Sequence, residues 1–224
     1  MNDLNKILEH VFQDAELLER ALTHRSFSEE AQSASPHNER LEYLGDAVLE
    51  LCVTDLLFRE LPQATEGDLS RIRASLVRTE SLAEVGRTWD LGPRLRLGRG
   101  EQGSGGRNKA SLLANAVEAV LGALYLDAGV APCVALVDRT FGQAVRDIQD
   151  PATFGRDPKS RLQEETMKRF KLLPRYKVVD TSGPAHERSF EVLCQVGEVE
   201  TRGIGPSKRA AERAAARAAL EELK

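Results

Sequence analysis

The acidic residues of the segment 38–57 are spaced in a way that could support metal chemistry. Glu39, Glu42 and Asp46 recur at intervals of three and four residues, so in a helix their side chains would share one face. Like charges stacked in this way weaken an isolated helix by roughly 0.2–0.5 kcal/mol per pair, and Arg40 points away from that face. The pattern therefore fits either a solvated acidic surface or a carboxylate cluster that binds a divalent cation. Only a second acidic element can decide between them.

A second helix, predicted for residues 111–127, is strongly apolar and has only two polar interior positions. Asn115 and Glu118 are separated by three residues and therefore lie on one face. A lone buried carboxylate is costly unless it is paired or bound to a metal ion. We therefore expect Glu42, Asp46 and Glu118, together with Asn115, to converge from two packed helices on one cation.

The elements that must position these residues are predicted from apolar spacing and from helix-breaking residues. The helix of residues 38–57 carries an apolar stripe at helical period, and the proline at position 62 closes it. The stripe consists of Leu41, Leu44, Val48, Leu51 and Leu56. Residues 2–24 are predicted to be helical, residues 26–37 to form a loop, and residues 131–148 to form one more amphipathic helix.

A further helix is predicted to begin at Thr65. Thr65 and Asp68 have the spacing of a capping box, and acidic residues in a first turn suit the positive end of the helix dipole. Glu66 and Asp68 therefore have a structural explanation, which the residues alone favour over a catalytic one.

The segment 97–110 is rich in glycine and basic residues. It does not have the pattern of a P-loop, because no Gly-Lys-Ser/Thr sequence ends it. Two interpretations remain open. The segment is either a flexible loop before a helix or a mobile basic loop whose Arg107 and Lys109 contact a phosphate backbone.

The composition predicts two regions of opposite charge. The 224 residues carry a net charge of −4, but residues 1–150 hold 16 Lys and Arg against 24 Asp and Glu, whereas residues 151–224 hold 15 against 11. This asymmetry suggests a metal site in the acidic part and a polyanion bound to the basic part. We predict a domain at residues 1–149, a linker at residues 150–157 rich in Asp, Pro and Gly, and a second domain at residues 158–224.

The predicted location is the cytoplasm. The N-terminus lacks the features of a secretory signal, and no run approaches the roughly 18–20 apolar residues that a membrane span requires. Cys52, Cys133 and Cys194 are far apart and odd in number, which predicts buried thiols rather than disulfides or a zinc site. We expect neither a membrane partner nor a small-molecule cofactor.

The basic C-terminal region is predicted to fold in the order α-β-β-β-α. In the second strand, apolar residues alternate from position 190 to 196, and the last helix has many alanines that would let it lie close on a sheet. Lys208 and Arg209 fall in the first turn of that helix, where the helix dipole disfavours cations. Cations in this position, beside free N–H groups, are expected to bind an anion such as an RNA phosphate.

Two segments resemble known families. The sequence NERLEYLGDAVLE, which starts at Asn38, resembles the characteristic motif of the ribonuclease III family. The α-β-β-β-α order resembles the double-stranded-RNA-binding domain, and together the resemblances cover nearly the whole chain. They imply an all-α nuclease domain followed by a small α+β domain. They further imply a homodimeric endonuclease that hydrolyses double-stranded RNA with Mg²⁺, or with Mn²⁺ in its place. The products would carry 5′-phosphate and 3′-hydroxyl ends, and the substrates would be precursors of ribosomal RNA and other structured transcripts.

The resemblance also implies roles for particular residues. Asp46 and Glu118 would matter most to the chemistry, Glu42 and Asn115 would complete the metal ligands, and Glu39 and Glu66 would be auxiliary. In the second domain the implied RNA contacts, besides Lys208 and Arg209, are Ser160, Gln163, Glu164 and His186. Better-known members have Asp at the position of Asn115, so this site has one negative charge fewer. The competing predictions are a double-stranded-RNA-binding protein with a weakened nuclease site and a helical scaffold with an incidental tail.

Overall fold

The structure is a computed structural model that describes residues 2–30, 36–184 and 187–223. The chain divides into two compact units, Met1–Phe154 and Gly155–Lys224. In its described residues, the regular secondary structure of the first unit is helical, apart from an isolated bridge between Thr23 and Arg96. The second contains a three-stranded sheet with two helices, so the predicted fold class is confirmed.

The first unit contains ten α-helices and one short 3₁₀ turn within its described residues. The helices are α1 (Asn2–Leu8), α2 (Ala15–Ala21), α3 (Arg25–Glu30), α4 (Glu39–Glu60), α5 (Glu66–Leu76), α6 (Thr79–Thr88), α7 (Leu91–Arg94), α8 (Arg99–Gly103), α9 (Ala110–Ala128) and α10 (Val130–Arg146). The 3₁₀ turn is Gly106–Asn108.

Helix α9 forms the centre of this unit and packs against α2, α4, α6 and α10. With 19 residues, α9 is long and apolar enough, by length and composition alone, to cross a membrane. The expectation from the sequence that no segment approaches the length and hydrophobicity of a membrane span was therefore wrong. The helix is instead a core element, because ten of its residues, from Leu113 to Leu124, are buried. The three cysteines are free and buried, as predicted.

The N-terminal residues differ from the prediction in two places. Residues 2–24 form two helices rather than one, because the Asp127 carboxylate at the end of α9, whose side chain is 2% exposed, accepts the backbone N–H groups of Gln13 and Asp14. The predicted loop of residues 26–37 begins with α3. Contacts with a distant segment hold this helix, since Ser26 Oγ accepts the N–H of Gly98 at 3.0 Å.

Helix α4 buries a different arc from the one predicted. Leu41, Val48 and Leu56 are buried as expected, but Leu51 is 59% exposed. The buried arc is completed by Gly45, Leu49, Cys52, Val53 and Leu57. Leu51 lies on the opposite side, which is exposed to solvent in the isolated chain.

The second unit has the predicted order of elements. These are α11 (Pro158–Phe170), β1 (Arg175–Ser182), β2 (Ser189–Val196), β3 (Val199–Gly205) and α12 (Lys208–Glu222). The sheet is antiparallel in the order β1-β2-β3. In β2 the residues Val192, Cys194 and Val196 are buried, as the alternation predicted. Helix α12 lies close on β3, since a Cβ at Gly203 would overlap the backbone of α12 at Ala211 and Ala215.

Candidate active site and RNA interface

The two acidic helices α4 and α9 cross with their backbones in contact. A Cβ placed on Gly45 would overlap the carbonyl group of Glu118, and a Cβ placed on Gly122 would overlap the carbonyl oxygen of Leu41. Only glycine lacks the atom that would keep the helices apart here. The crossing therefore places Glu118 directly opposite the turn of α4 that carries Glu42.

The electrostatics of the crossing show that the carboxylates are neighbours. Burial, together with the nearby charges of Asp46 and Glu42, raises the pKa of Glu118 to about 7. Burial also raises the pKa of Glu42, as do the nearby charges of Glu39 and Asp46. A carboxyl group with a pKa near neutrality is typical of functional sites.

Asn115 joins this group through Glu42. Its side-chain amide hydrogen-bonds the Glu42 carboxylate, which lowers the pKa of Glu42 against the effect of burial. As an amide, Asn115 donates through its N–H₂ group and leaves its oxygen available as an acceptor or ligand. The structure thus brings together Glu42, Asp46, Asn115 and Glu118 from two helices, hereafter the acidic group.

The chemistry of these side chains suits a hard divalent cation. Three carboxylates and one amide supply only oxygen donors, the ligand type that Mg²⁺ prefers. Within the described residues, however, no group of three or more His, Cys, Asp or Glu side chains is gathered closely enough to hold a metal ion. The predicted metal site therefore rests on the neighbourhood and donor types of these residues, and it stays a prediction.

The two auxiliary residues occupy different surroundings. Glu39 is half-exposed, with Arg25 Nη1 at 3.4 Å from one carboxylate oxygen and His37 Nδ1 at 3.7 Å from the other. Glu66 is the first residue of α5, and its carboxylate accepts a hydrogen bond from Ser70 Oγ at 2.9 Å. Glu39 contributes to the raised pKa of Glu42, whereas Glu66 is not among the causes of either shifted pKa in the acidic group.

The capping box predicted at Thr65 is confirmed. The Thr65 side chain accepts the N–H of Asp68, and the Asp68 carboxylate accepts the N–H of Thr65. Asp68 is buried, and the hydrogen bond from the Thr65 hydroxyl lowers the pKa of its carboxyl group. Asp68 is therefore explained by helix capping.

The glycine-rich segment is ordered into short helices rather than an open loop. Arg107 Nη1 donates to the carbonyl oxygens of Gly92, Pro93 and Leu95 at 2.8–2.9 Å. Lys109 Nζ lies 2.6 Å from the Glu101 carboxylate. Both cations thus have internal partners, which favours the structural interpretation over the RNA contact predicted for them.

In the second unit two of the predicted RNA contacts lie at the start of α12. Lys208 and Arg209 are exposed in the first turn of α12, where Ser207 Oγ accepts the N–H of Ala210 at 3.2 Å. Neither has an ion-pair partner within the part of the chain that the structure describes. An exposed pair of cations at the positive end of a helix is therefore available for an anion from solution.

The start of α11 is joined by ion pairs to the second turn of α12. Lys159 Nζ lies 2.6 Å from the Glu212 carboxylate, and Arg213 Nε lies 2.8 Å from that of Asp157. This pairing places α11 beside the exposed cations of α12. The predicted contacts on α11, which are Ser160, Gln163 and Glu164, are all exposed. His186 lies outside the described residues.

Three features of the site were not identified from the sequence. Gly45 and Gly122 set the helix crossing, and a glycine inside a helical pattern is a signal of close packing that could have found them. Arg25 pairs with Glu39, but no local pattern connects these residues. The third is an exposed apolar face on α4 formed by Tyr43 (85% exposed), Leu51 and Phe58 (72% exposed), hereafter the α4 apolar face.

Comparisons with known proteins agree with both units. The family described as Ribonuclease-III-like matches residues 14–144, and the Double-stranded RNA binding motif matches residues 158–223. The chain is 50% identical over 219 residues to Ribonuclease 3 of Albidiferax ferrireducens, covering 97% of this chain and 93% of that protein. It is 46% identical over 225 residues to Ribonuclease 3 of Vibrio cholerae, covering 100% and 97%.

A solved structure is also similar to the first unit. The nuclease domain of ribonuclease III from Campylobacter jejuni, whose structure concerns flexibility in a region involved in its dimer formation, has a TM-score of 0.59 and 40% sequence identity. The match covers 63% of this chain and 95% of that one.

Proposed function

The chain belongs to the ribonuclease III family, and from that premise we propose that it hydrolyses double-stranded RNA at the crossing of α4 and α9. The enzyme class, a ribonuclease III-type endoribonuclease, follows from the family. The observation that supports the location is the close approach of these helices at Gly45, which couples Glu118 electrostatically to Asp46 and Glu42.

The family uses a divalent metal ion, and we propose Mg²⁺, with Mn²⁺ able to replace it. Glu42, Asp46, Asn115 and Glu118 would hold the ion directly or through water. When bound, such an ion lowers the pKa of a coordinated water and stabilises negative charge on the phosphodiester. Glu118 must be ionised to serve as a ligand, so its raised pKa makes metal affinity depend on pH near neutrality.

The remaining residues position the substrate. Lys208 and Arg209 would bind backbone phosphates, and the exposed face of α11 would contact the adjacent minor groove. Glu39 and Glu66 would orient substrate or water beside the acidic group. Because double-stranded-RNA-binding domains recognise A-form shape rather than sequence, this unit would hold many duplexes and leave the choice of bond to the nuclease unit. We propose 5′-phosphate and 3′-hydroxyl product ends and, as substrates, precursors of ribosomal RNA and other structured transcripts in the cytoplasm.

The proposed active form is a symmetric homodimer that associates through the α4 apolar face. Tyr43, Leu51 and Phe58 are large, exposed and on one side of the helix that carries Glu42 and Asp46. Exposed apolar surface of this kind is typical of a protein interface. A two-fold axis beside α4 would place two acidic groups near each other, so each subunit could cut one strand.

The experiment that tests the function is incubation of the purified chain with a long RNA duplex, first with Mg²⁺ and then with EDTA. The proposal expects shortening of the duplex with Mg²⁺ alone. Glu118→Ala should abolish shortening but leave retardation of the duplex on a native gel. A weakened nuclease that only binds RNA would instead retard the duplex without shortening it, and a scaffold would do neither.

A further inference from the structure

Arg25 and Glu39 form an ion pair that an incoming anion could exchange. Arg25 Nη1 lies 3.4 Å from Glu39 Oε1, and the two side chains are 61% and 48% exposed. Exposed ion pairs contribute at most about 1 kcal/mol, and a pair of this length lies at the weak end of that range. A phosphate oxygen could therefore replace the Glu39 carboxylate on the guanidinium at little cost.

The backbone that carries Arg25 is held on both sides. The N–H of His24 donates to the carbonyl oxygen of Arg96 at 3.0 Å, and Ser26 Oγ accepts the N–H of Gly98 at 3.0 Å. Ser26 Oγ also lies 2.8 Å from His24 Nδ1. Arg25 is thus presented from a fixed backbone, so binding through it costs less ordering entropy than binding through a side chain on a mobile loop.

The position of Arg25 matters because it borders the acidic group. Glu39, its partner, lies close enough to Glu42 to contribute to the raised pKa of Glu42. Residues 1–150 carry a net charge of −8, so an RNA strand that reaches this face brings phosphates into a region of like charge. A cation at the edge of the acidic group would offset that repulsion where the strand must lie.

We propose that Arg25 is a phosphate-binding residue of the nuclease unit, and that an RNA phosphate displaces Glu39 from its guanidinium. The planar fork of an arginine can bind two phosphate oxygens at once, which fixes the strand in orientation as well as in position. This inference rests on the proposed function, since it assumes that an RNA strand crosses the acidic face of α4.

The test measures RNA binding without cleavage. All variants are made in a Glu118→Gln chain, and the Kd for an RNA duplex is measured in Mg²⁺ over a series of salt concentrations. Arg25→Ala should raise the Kd about threefold to tenfold and reduce the slope of log K against log salt by roughly 0.7–0.9, the contribution of one phosphate contact. Glu39→Gln should lower the Kd, because it frees Arg25 for the phosphate.

The double variant Arg25→Ala/Glu39→Gln separates the proposal from a simpler explanation. If Arg25 only screens Glu39, removing both charges restores the parent affinity, and the inference is overturned. The proposal expects the double variant to bind weakly with the reduced salt slope. Arg59→Ala is the matched control, because Arg59 is also half-exposed and pairs with Asp55 at 3.0 Å at the other end of α4. It should bind as the parent does.

The outcomes also separate this inference from the proposed function. If the chain with Glu118 intact does not shorten the duplex, the proposed function fails, whereas the binding series still decides whether Arg25 contacts a phosphate. If that chain cuts and Arg25→Ala leaves both Kd and salt slope unchanged, only the inference about Arg25 is wrong.

Discussion

A methyl group on Gly45 would overlap the backbone carbonyl of Glu118, so α4 and α9 touch without any side chain between them. Asp46 is the next residue along α4, and Glu42 is one turn before it. The separation between the backbones that carry these carboxylates is therefore set by direct contact of the two helices. Any change that moves the two helices apart must change the electrostatic coupling within the acidic group.

Gly45→Ala should destabilise the nuclease unit and disrupt the acidic group. The added methyl cannot be accommodated by rotating a side chain, because it meets backbone, so we expect a loss of about 1–3 kcal/mol or more. Thermal unfolding and Mg²⁺-dependent cleavage would measure the two effects. Gly67→Ala is the control, since Gly67 is also helical but has only Thr65 Oγ1 nearby, at 4.0 Å. Equal stability of the two variants would contradict a backbone contact between α4 and α9 at Gly45.

Glu118→Gln should stabilise the metal-free protein above neutral pH. Because the pKa of Glu118 is raised from 4.5 to about 7, the native state keeps a proton that the unfolded chain has lost. Ionisation of Glu118 therefore leaves the free energy of unfolding unchanged below about pH 4.5, lowers it increasingly as the pH rises to 7, and lowers it by the full amount above pH 7. Discounted for partial exposure of Glu118 to solvent, this full decrease in the free energy of unfolding is about 1–2 kcal/mol.

The measurement is thermal unfolding in EDTA at several pH values. The melting temperature of Glu118→Gln should match that of the parent near pH 4.5 and exceed it by roughly 2–6 °C at pH 8. Added Mg²⁺ should then stabilise the parent more than the variant, because ligand bound to the native state raises its stability. A difference that is constant with pH would show that Glu118 has an ordinary pKa.

The sequence predicted the parts of this site that depend on local period. Spacing along one helix placed Glu42 and Asp46 together, and the scarcity of polar residues in α9 identified Glu118 as an unusual carboxylate, which the structure shows to be half-buried. The sequence did not predict the arc of α4 that is buried, because the arc depends on which helices pack against it; Leu51 was placed on the wrong side for this reason. Helix α3 was missed because contacts with Arg96 and Gly98, rather than its own sequence pattern, hold it.

Asn115→Asp should increase metal affinity and reduce stability without metal. The Asn115 amide donates to the Glu42 carboxylate, whereas an aspartate would place a like charge there. A fourth carboxylate among the proposed ligands should lower the Mg²⁺ concentration for half-maximal cleavage about twofold to tenfold. In EDTA at pH 8 the variant should unfold at a lower temperature than the parent. Identical Mg²⁺ titration curves for the two proteins would show that this reasoning about charge is wrong.

Lys208→Ala should weaken binding to all RNA duplexes by a similar factor. A phosphate contact carries no sequence information, so the loss should not depend on sequence, and the salt slope should fall by roughly 0.7–0.9. Binding of the Glu118→Gln chain to several unrelated duplexes over a salt series would measure both. Arg217→Ala is the control, because Arg217 is an exposed cation on the same helix but far from its first turn. An equal effect of the two substitutions would indicate a general charge effect instead of a contact at the start of α12.

Phe58→Glu should convert the proposed dimer into a monomer. Phe58 is 72% exposed on the α4 apolar face, and Phe58→Glu would bury an unpaired charge from each subunit in the symmetric interface. Sedimentation velocity should give twice the chain mass for the parent and 24.7 kDa for the variant.

Val11→Glu is the control for this prediction. It alters a residue that is 75% exposed but lies in the connection between α1 and α2, so the variant should remain dimeric. Since each substitution adds one charge at an exposed apolar position, a monomer in both cases would mean that the dimer does not depend on α4. A parent chain that is itself monomeric would exclude the proposed interface altogether.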